Sequence, residues 1–259
     1  MNELLGRSAV VTGAGRGFGR AIAVALAGAG AAVTLTARTQ SEIDGARAAI
    51  LERGGRAQAV VADVTDLEAV RKVCELHRTQ FGPVSILVNC AGSAEPYGPV
   101  GDVDVRRWWR TMSVNVLGPL NYMSAAIPQM LAAGRGCIIN VSSLGATFVG
   151  GHDSAYCVSK ATLLRLSEHV ARERAAAGIA VFPVHPGIAY TALADAVVQS
   201  ADARRWMPGL VAELEEVKNR GGQTQGLDLC GQHCVALASG RLDHLSGKFL
   251  TLDKAEITA

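Results

Sequence analysis

The sequence predicts a doubly wound α/β fold, a parallel sheet of about seven strands flanked by helices on both faces. Three observations predict it. Short β-branched runs alternate along the chain with longer Ala-rich stretches of helical spacing. The β-branched runs are apolar at nearly every residue, as strands covered on both faces must be. A glycine-rich turn joins the first run to the first helical stretch.

The elements follow in order. Ser8–Thr12 reads as the first strand and Gly17–Ala29 as the helix after the glycine turn. Ala32–Ala37 is the second strand, with a helix over Ser41–Arg53. Ala57–Ala62 is the third, and Asp66 supplies an acidic cap for a helix running to Phe81. Ile86–Asn89 is the fourth strand. The Pro/Gly loop Ser93–Gly101 leads into a long helix ending near Ala133. Cys137–Ser142, the helix Ser154–Ala177 and the strand Ile179–His185 come next. The region from Gly187 to Gln225 is irregular or helical; a helix over Leu227–Ser239 and a strand over Lys248–Leu252 close the pattern.

No repeat, low-complexity tract or Pro/Ser-rich linker divides the chain. It reads as one domain, 1–259, in which 188–225 forms a mobile substrate lid. Hydrophobic residues make up 49% and charged residues 19%, enough for a core and too apolar for wholesale disorder. Lysine and arginine total 25 against 23 acids, so the concentrated basic charge of a nucleic-acid or membrane-surface protein is not expected. The charge-free stretches Ala21–Ala37 and Thr111–Gly134 are broken by Gly28 and Gly30, and by Asn115, Pro119, Asn121 and Pro128, so neither reads as a membrane span. The six cysteines are too scattered for a disulfide framework, and no apolar signal core precedes Thr12. A cytoplasmic setting is the expectation.

In such sheets ligands bind beyond the carboxyl ends of the strands, so functional residues should cluster there. Gly13, Gly17 and Gly19 follow the first strand in G-x-x-x-G-x-G spacing, not the common G-x-G-x-x-G. Glycines let the backbone approach a pyrophosphate, and a helix N-terminus adds free N–H groups. The alternative is an ordinary glycine turn. At the end of the second strand an NAD site commonly carries a carboxylate, but here the run is Thr36-Ala37-Arg38-Thr39, with no acid before Glu42. Arg38, joined by Arg16, could hold a 2′-phosphate. If the two arginines are not merely solvated charges, the cofactor is NADP(H).

Tyr156 and Lys160 stand i and i+4 near the start of a helix, one turn apart on one face. An ammonium beside a phenol stabilises the phenolate and makes it a usable general acid/base. Ser142 and Ser143 end the preceding strand, where a hydroxyl can hold a substrate carbonyl or serve as a turn residue. Asn115 lies mid-helix, where asparagine is a mediocre helix former.

Together these residues resemble the short-chain dehydrogenase/reductase family, in its ordinary branch, over almost the whole chain. Thr12, Gly13, Gly17 and Gly19 match its glycine loop. Asp63-Val64 match its adenine-contacting pair, and Asn89-Cys90-Ala91-Gly92 its Asn-Asn-Ala-Gly run, with Cys90 a departure. Asn115, Ser143, Tyr156 and Lys160 match the catalytic tetrad in order and spacing, and Pro186-Gly187 with Thr191 the nicotinamide-side loop. The resemblance implies a Rossmann fold. It implies a cofactor site formed by Gly13, Arg16, Gly17, Phe18, Gly19, Arg38, Asp63, Val64, Asn89, Ala91, Gly92, Tyr156, Lys160, Pro186, Gly187, Ile188 and Thr191. It also implies Tyr156 as proton donor or acceptor, Ser143 (not Ser142) orienting the substrate oxygen, and Lys160 lowering the tyrosine pKa and binding the nicotinamide ribose. Asn115 would support a relay water, and the chain would form a homotetramer or dimer. The C-terminal run Leu245–Lys254 departs from the family's usual Thr-Gly-Gln and Asp-Gly-Gly.

Ser143, Tyr156 and His152 are the candidate substrate contacts, although His152 could equally face solvent. Leu144, Phe148, Trp206, Met207 and Leu210 suggest an apolar lining, suited to a small-molecule ketone or alcohol, with a sugar or polyol dehydrogenase or a non-catalytic dinucleotide sensor as alternatives. No metal is expected: Cys230 and Cys234 read as core packing on one helix face. Trp108 and Trp109 read as packing residues.

Overall fold

The computed structural model describes residues 3–221 and 223–252, with the backbone alone for 223–225. The end of the single-domain span, including Asp253 and Lys254, lies outside the described residues.

Seven parallel strands form one sheet in the order β3-β2-β1-β4-β5-β6-β7. They are β1 (Ser8–Thr12), β2 (Ala32–Ala37), β3 (Arg56–Val61), β4 (Ile86–Asn89), β5 (Gly136–Val141), β6 (Ile179–His185) and β7 (Leu250–Thr251). The order reverses between β1 and β4, and the carboxyl ends of these two strands open the crevice where such sheets take ligands. Successive strand residues point to opposite faces, so each apolar run feeds two cores. Val11, Val33, Val88, Ile139 and Phe182 pack with α1 (Gly17–Gly28), α2 (Gln40–Glu52) and α10 (Gln223–Ala238) on one face. Val10, Leu87, Ile138 and Val181 pack with α3 (Leu67–Phe81), α5 (Gly118–Ala132) and α6 (Ser154–Arg174) on the other. Asp66 caps α3 as expected, its carboxylate accepting from Glu68 N and Ala69 N.

The single long helix expected after the Pro/Gly loop is instead two. The first, α4 (Val105–Met112), runs through one π-helical turn, Ser113–Leu117, into α5. Pro119 supplies the reason: an unbroken α-helix would need its N–H to reach the Asn115 carbonyl, and proline has none. The closing strand is shorter than expected, at Leu250–Thr251, and α10 begins at Gln223 rather than Leu227. Cys230 and Cys234 are buried in the α1/α10 core, as the packing reading required. Trp108 and Trp109 divide. Trp108 is half-buried and donates to Ser154 Oγ at 3.0 Å, while Trp109 is 59% exposed and is not a packing residue of this chain's own core.

The segment after β6 is helical: α7 (Ala192–Gln199), α8 (Ala201–Trp206) and α9 (Pro208–Asn219). Val197, Val198, Val211 and Leu214 from these helices, with Met207 between α8 and α9, join Ala94 and Tyr97 in a third, separate cluster beside the strand ends.

Candidate active site

The glycine loop is built by close approach. Gly13 has φ +63°, and a Cβ there would lie 2.9 Å from the Ala91 backbone. A Cβ on Gly19 would lie 2.3 Å from the Gly13 carbonyl oxygen. Neither position has room for a side chain. Thr12 Oγ1 holds the crevice together by accepting from Cys90 N at 3.0 Å and Ala91 N at 3.1 Å. The side chain of Arg16, which precedes α1, makes no capping hydrogen bond, whereas Asp66, Asp104 and Thr191 cap α3, α4 and α7. The first N–H groups of α1 are thus left for an anion. A cleft of about 630 Å³ runs from this loop to Tyr156. Glycines without room for a Cβ, an uncapped helix N-terminus and a cleft at the switch point fit a dinucleotide.

Of the residues expected to hold cofactor, all except Asn89 line this cleft. Asn89 instead faces the neighbouring strand. Its Nδ2 donates to Asn140 Oδ1 at 2.8 Å, Asn140 donates to Ser167 Oγ at 2.9 Å, and Ser167 donates to Leu163 O at 2.6 Å. This buried polar chain ties β4, β5 and α6 together beneath the site. A larger groove of about 1010 Å³ lies along α1 and α10 and touches only Arg16 and Gly17 of the expected set.

At the Arg38 end of the cleft the structure adds a carboxylate. Arg16 does not join Arg38; its Nη1 pairs with Glu42 Oε1 at 3.1 Å, and Glu42 itself lines the cleft. Gly15 permits the pairing, because a Cβ there would fall 2.6 Å from Glu42 Cβ. Asp63 accepts from Thr65 N at 2.9 Å and Thr65 Oγ1 at 2.8 Å. Burial raises its pKa, but these bonds, with Arg38 and Arg110 nearby, hold the carboxyl below its ordinary value.

At the other end Ser143, Tyr156 and Lys160 meet. The Ser143 hydroxyl is hydrogen-bonded to the Tyr156 phenol and also accepts from Gly145 N at 3.1 Å. Ser142 turns inward and donates to Lys160 O at 3.0 Å. Lys160 Nζ lies 5.6 Å from the Tyr156 ring centroid and donates to Val141 O at 2.8 Å. Burial lowers the ammonium pKa to about 8. The phenol departs from expectation: burial raises its pKa above the ordinary value, and the Ser143 bond only partly offsets this. Burial thus favours the protonated phenol, a proton donor.

Asn115 is fully buried and lies off the cleft wall. Its Oδ1 accepts from Ser93 N at 2.8 Å, and its Nδ2 donates to Ser93 O and Ser159 Oγ, both at 2.8 Å. A Cβ on Gly92 would stand 3.6 Å from Asn115 Oδ1 and 3.8 Å from Lys160 Nζ, so these three residues share one corner. His152 also lies off the wall, against Trp206 with ring centroids 5.0 Å apart. Leu144, Phe148, Met207 and Leu210 line the cleft as expected, Trp206 does not, and His185 joins the lining from the end of β6. Sequence reading missed Tyr97, Asp153, Val197 and Leu214, which also line it. Tyr97 is the one aromatic in the loop Ser93–Gly101 at the carboxyl end of β4, which is the signal that could have found it.

A sequence model of the short chain dehydrogenase family matches residues 7–202. The chain is 33% identical to short chain dehydrogenase mpl6 of Monascus purpureus, over 98% of this chain and 84% of that one. It is 38% identical to cis-4-hydroxycyclohexanecarboxylate dehydrogenase of Sinomonas cyclohexanicum, over 82% and 86% respectively. A crystal structure of a putative NAD(P)-dependent gluconate 5-dehydrogenase from Beutenbergia cavernae with bound NADP superposes with a TM-score of 0.81, at 32% identity over 96% of each chain. The chain belongs to the short chain dehydrogenase family. It is an oxidoreductase of that family, whose members use nicotinamide dinucleotides. Among the described residues no helix is long and apolar enough to cross a membrane.

Proposed function

We propose that the protein is an NADP(H)-dependent ketone reductase, moving hydride between the nicotinamide and a carbonyl or secondary alcohol on a fairly apolar small molecule. One observation carries the reading: the Tyr156 phenol, bonded to Ser143 and beside buried Lys160, lines a cleft that continues into the glycine loop. Bound NADPH supplies the hydride. Tyr156 donates its proton to the carbonyl oxygen, and Ser143 orients that oxygen and stabilises its developing charge. Lys160 stabilises the phenolate left behind. With the Asn115 side chain occupied by Ser93 and Ser159, the water-holding role falls to its carbonyl in the π turn, which Pro119 cannot engage as a donor.

Arg38 at the cleft edge and the NADP held by the Beutenbergia relative support NADP(H). The relatives named as a cis-4-hydroxycyclohexanecarboxylate dehydrogenase and a putative gluconate 5-dehydrogenase favour a second reading, dehydrogenation of a ring or chain alcohol. Phe148, Met207, Leu210 and Leu214 in the wall favour a ring over an open polyol. Exposed Trp109, Leu117, Leu120 and Val158 on α4 to α6 support self-association as a dimer or tetramer, which sedimentation measures.

The test is Tyr156→Phe. NADPH binding should stay within about twofold while turnover on a panel of ketones falls by at least about a hundredfold, as expected for loss of a general acid. Undiminished turnover overturns the mechanism; firm NADPH binding with no turnover by the unmodified protein on any ketone or alcohol favours a non-catalytic sensor.

A further inference from the structure

Three segments that surround the mouth of the cleft meet at His152. The residue has φ +64°, a left-handed conformation uncommon outside glycine. That twist turns its two polar ends toward different partners. Its carbonyl accepts from Gly98 N at 2.7 Å, fastening the loop that follows β4. Its ring Nδ1 donates to Trp206 O at 3.1 Å, satisfying a carbonyl at the end of α8 that has no helical partner. The imidazole also packs against the Trp206 indole, and that indole meets Gly98, where a Cβ would lie 3.5 Å from Trp206 Nε1. Gly98 has φ +140°, so this loop too is shaped for the close approach.

The next residue after this junction, Met207, lines the cleft, as do Leu210 and Leu214 of α9. The wall over Tyr156 is thus carried by helices that the His152 ring fastens to the framework.

We propose that His152 is a positioning residue: a latch whose Nδ1–H holds the end of α8 and so fixes the apolar wall of the substrate chamber. It does not touch the reacting atoms. The proposal rests on the reading of the cleft over Tyr156 as the substrate chamber, and its test has one arm that does not depend on that reading.

The variants are His152→Ala, His152→Asn and His152→Gln. Asparagine tolerates positive φ and places an amide N–H near the position of Nδ1; glutamine carries its amide one bond further out. The first arm is limited trypsin digestion of the full chain, following cleavage after Arg204 and Arg205 by mass spectrometry. His152→Ala and His152→Gln should be cut several-fold faster than the unmodified protein, and His152→Asn at its rate. The second arm is NADPH-dependent reduction of 2-acetylnaphthalene. His152→Ala should raise KM by roughly 3- to 10-fold, the worth of one net hydrogen bond, with kcat and the NADPH dissociation constant nearly unchanged. His152→Asn should restore KM. Equal cleavage of the unmodified and Ala proteins overturns the latch. So does a fall in kcat shared by Ala and Asn, which would make the imidazole a substrate contact. If no ketone is reduced by the unmodified protein, the reading of the function fails while the cleavage pattern still decides the latch.

Discussion

Replacing Thr12 by valine isolates the bond that holds the crevice between β1 and β4. The side chain is 1% exposed, and its Oγ1 is the acceptor for the N–H groups of both Cys90 and Ala91. Valine has nearly the same volume, so packing is retained and the hydroxyl alone is lost. Two part-buried donors are then stranded, at about 1–3 kcal/mol each where water does not reach them. Allowing for relaxation and for solvent from the cleft, the loss should be about 1–4 kcal/mol, which for a domain of this size is about 3–12 °C in Tm. Urea unfolding of the ligand-free protein at neutral pH reads it as a fall in midpoint at constant slope. Thr12→Ser keeps the acceptor and should lose no more than about 1 kcal/mol, the cost of a methyl group. A Thr12→Val loss below about 0.5 kcal/mol, or one matched by Thr12→Ser, would refute the assignment of stability to these two bonds.

Three further outcomes are expected. Burial sets the Lys160 pKa at about 8 against 10.5 for the free group, so between these values the unfolded chain binds a proton that the folded one does not; stability should rise from pH 8 toward 10.5, and urea midpoints of Lys160→Met should lack that component. His77, fully buried with Nδ1 2.7 Å from Thr34 Oγ1, has its pKa lowered by burial from 6.5 to about 4. Its unfolded form takes up the proton first on acidification, so its contribution should be lost as pH falls below 6.5, about 2 kcal/mol between pH 7 and 5, and a His77→Gln protein should show a shallower decline over that window. Arg38→Asp should lower the preference for NADPH over NADH by roughly 10- to 100-fold in fluorescence-measured dissociation constants, the worth of a charge-assisted phosphate contact; an unchanged ratio would remove Arg38 from the site.

The parts of this molecule that were legible from sequence are those governed by short-range rules. Val10 and Val11 announce a two-faced strand, Asp66 announces a helix start, and Tyr156 with Lys160 share a face through helical spacing alone. Ser143 was distinguished from Ser142 only through family likeness, and the structure supplies the physical difference, because Ser142 is occupied by the Lys160 carbonyl. What escaped depends on contacts between distant segments. Glu42 meets Arg16 because Gly15 lets α2 close on the loop, and nothing in the spacing of 26 residues signals it. His152 turns from the cleft because its backbone is left-handed, which no hydrophobic period encodes. The π turn was readable in principle, since Pro119 stands four residues after Asn115. The short helices α7 to α9 carry too few turns for a clear period. The phenol pKa could not be read from the Tyr156–Lys160 pair because it depends on burial, a property of the whole fold.

The third cluster, centred on Val197, Met207 and Leu214, packs separately from the two cores that sandwich the sheet. Side chains there can be exchanged without disturbing the strands beneath, so long as the face that packs on Tyr156 is kept. A protein organised this way is free to acquire new preferences in its recognition wall while inheriting its chemistry intact, so its history of substrate change should be written in α7 to α9 and hardly at all in the sheet.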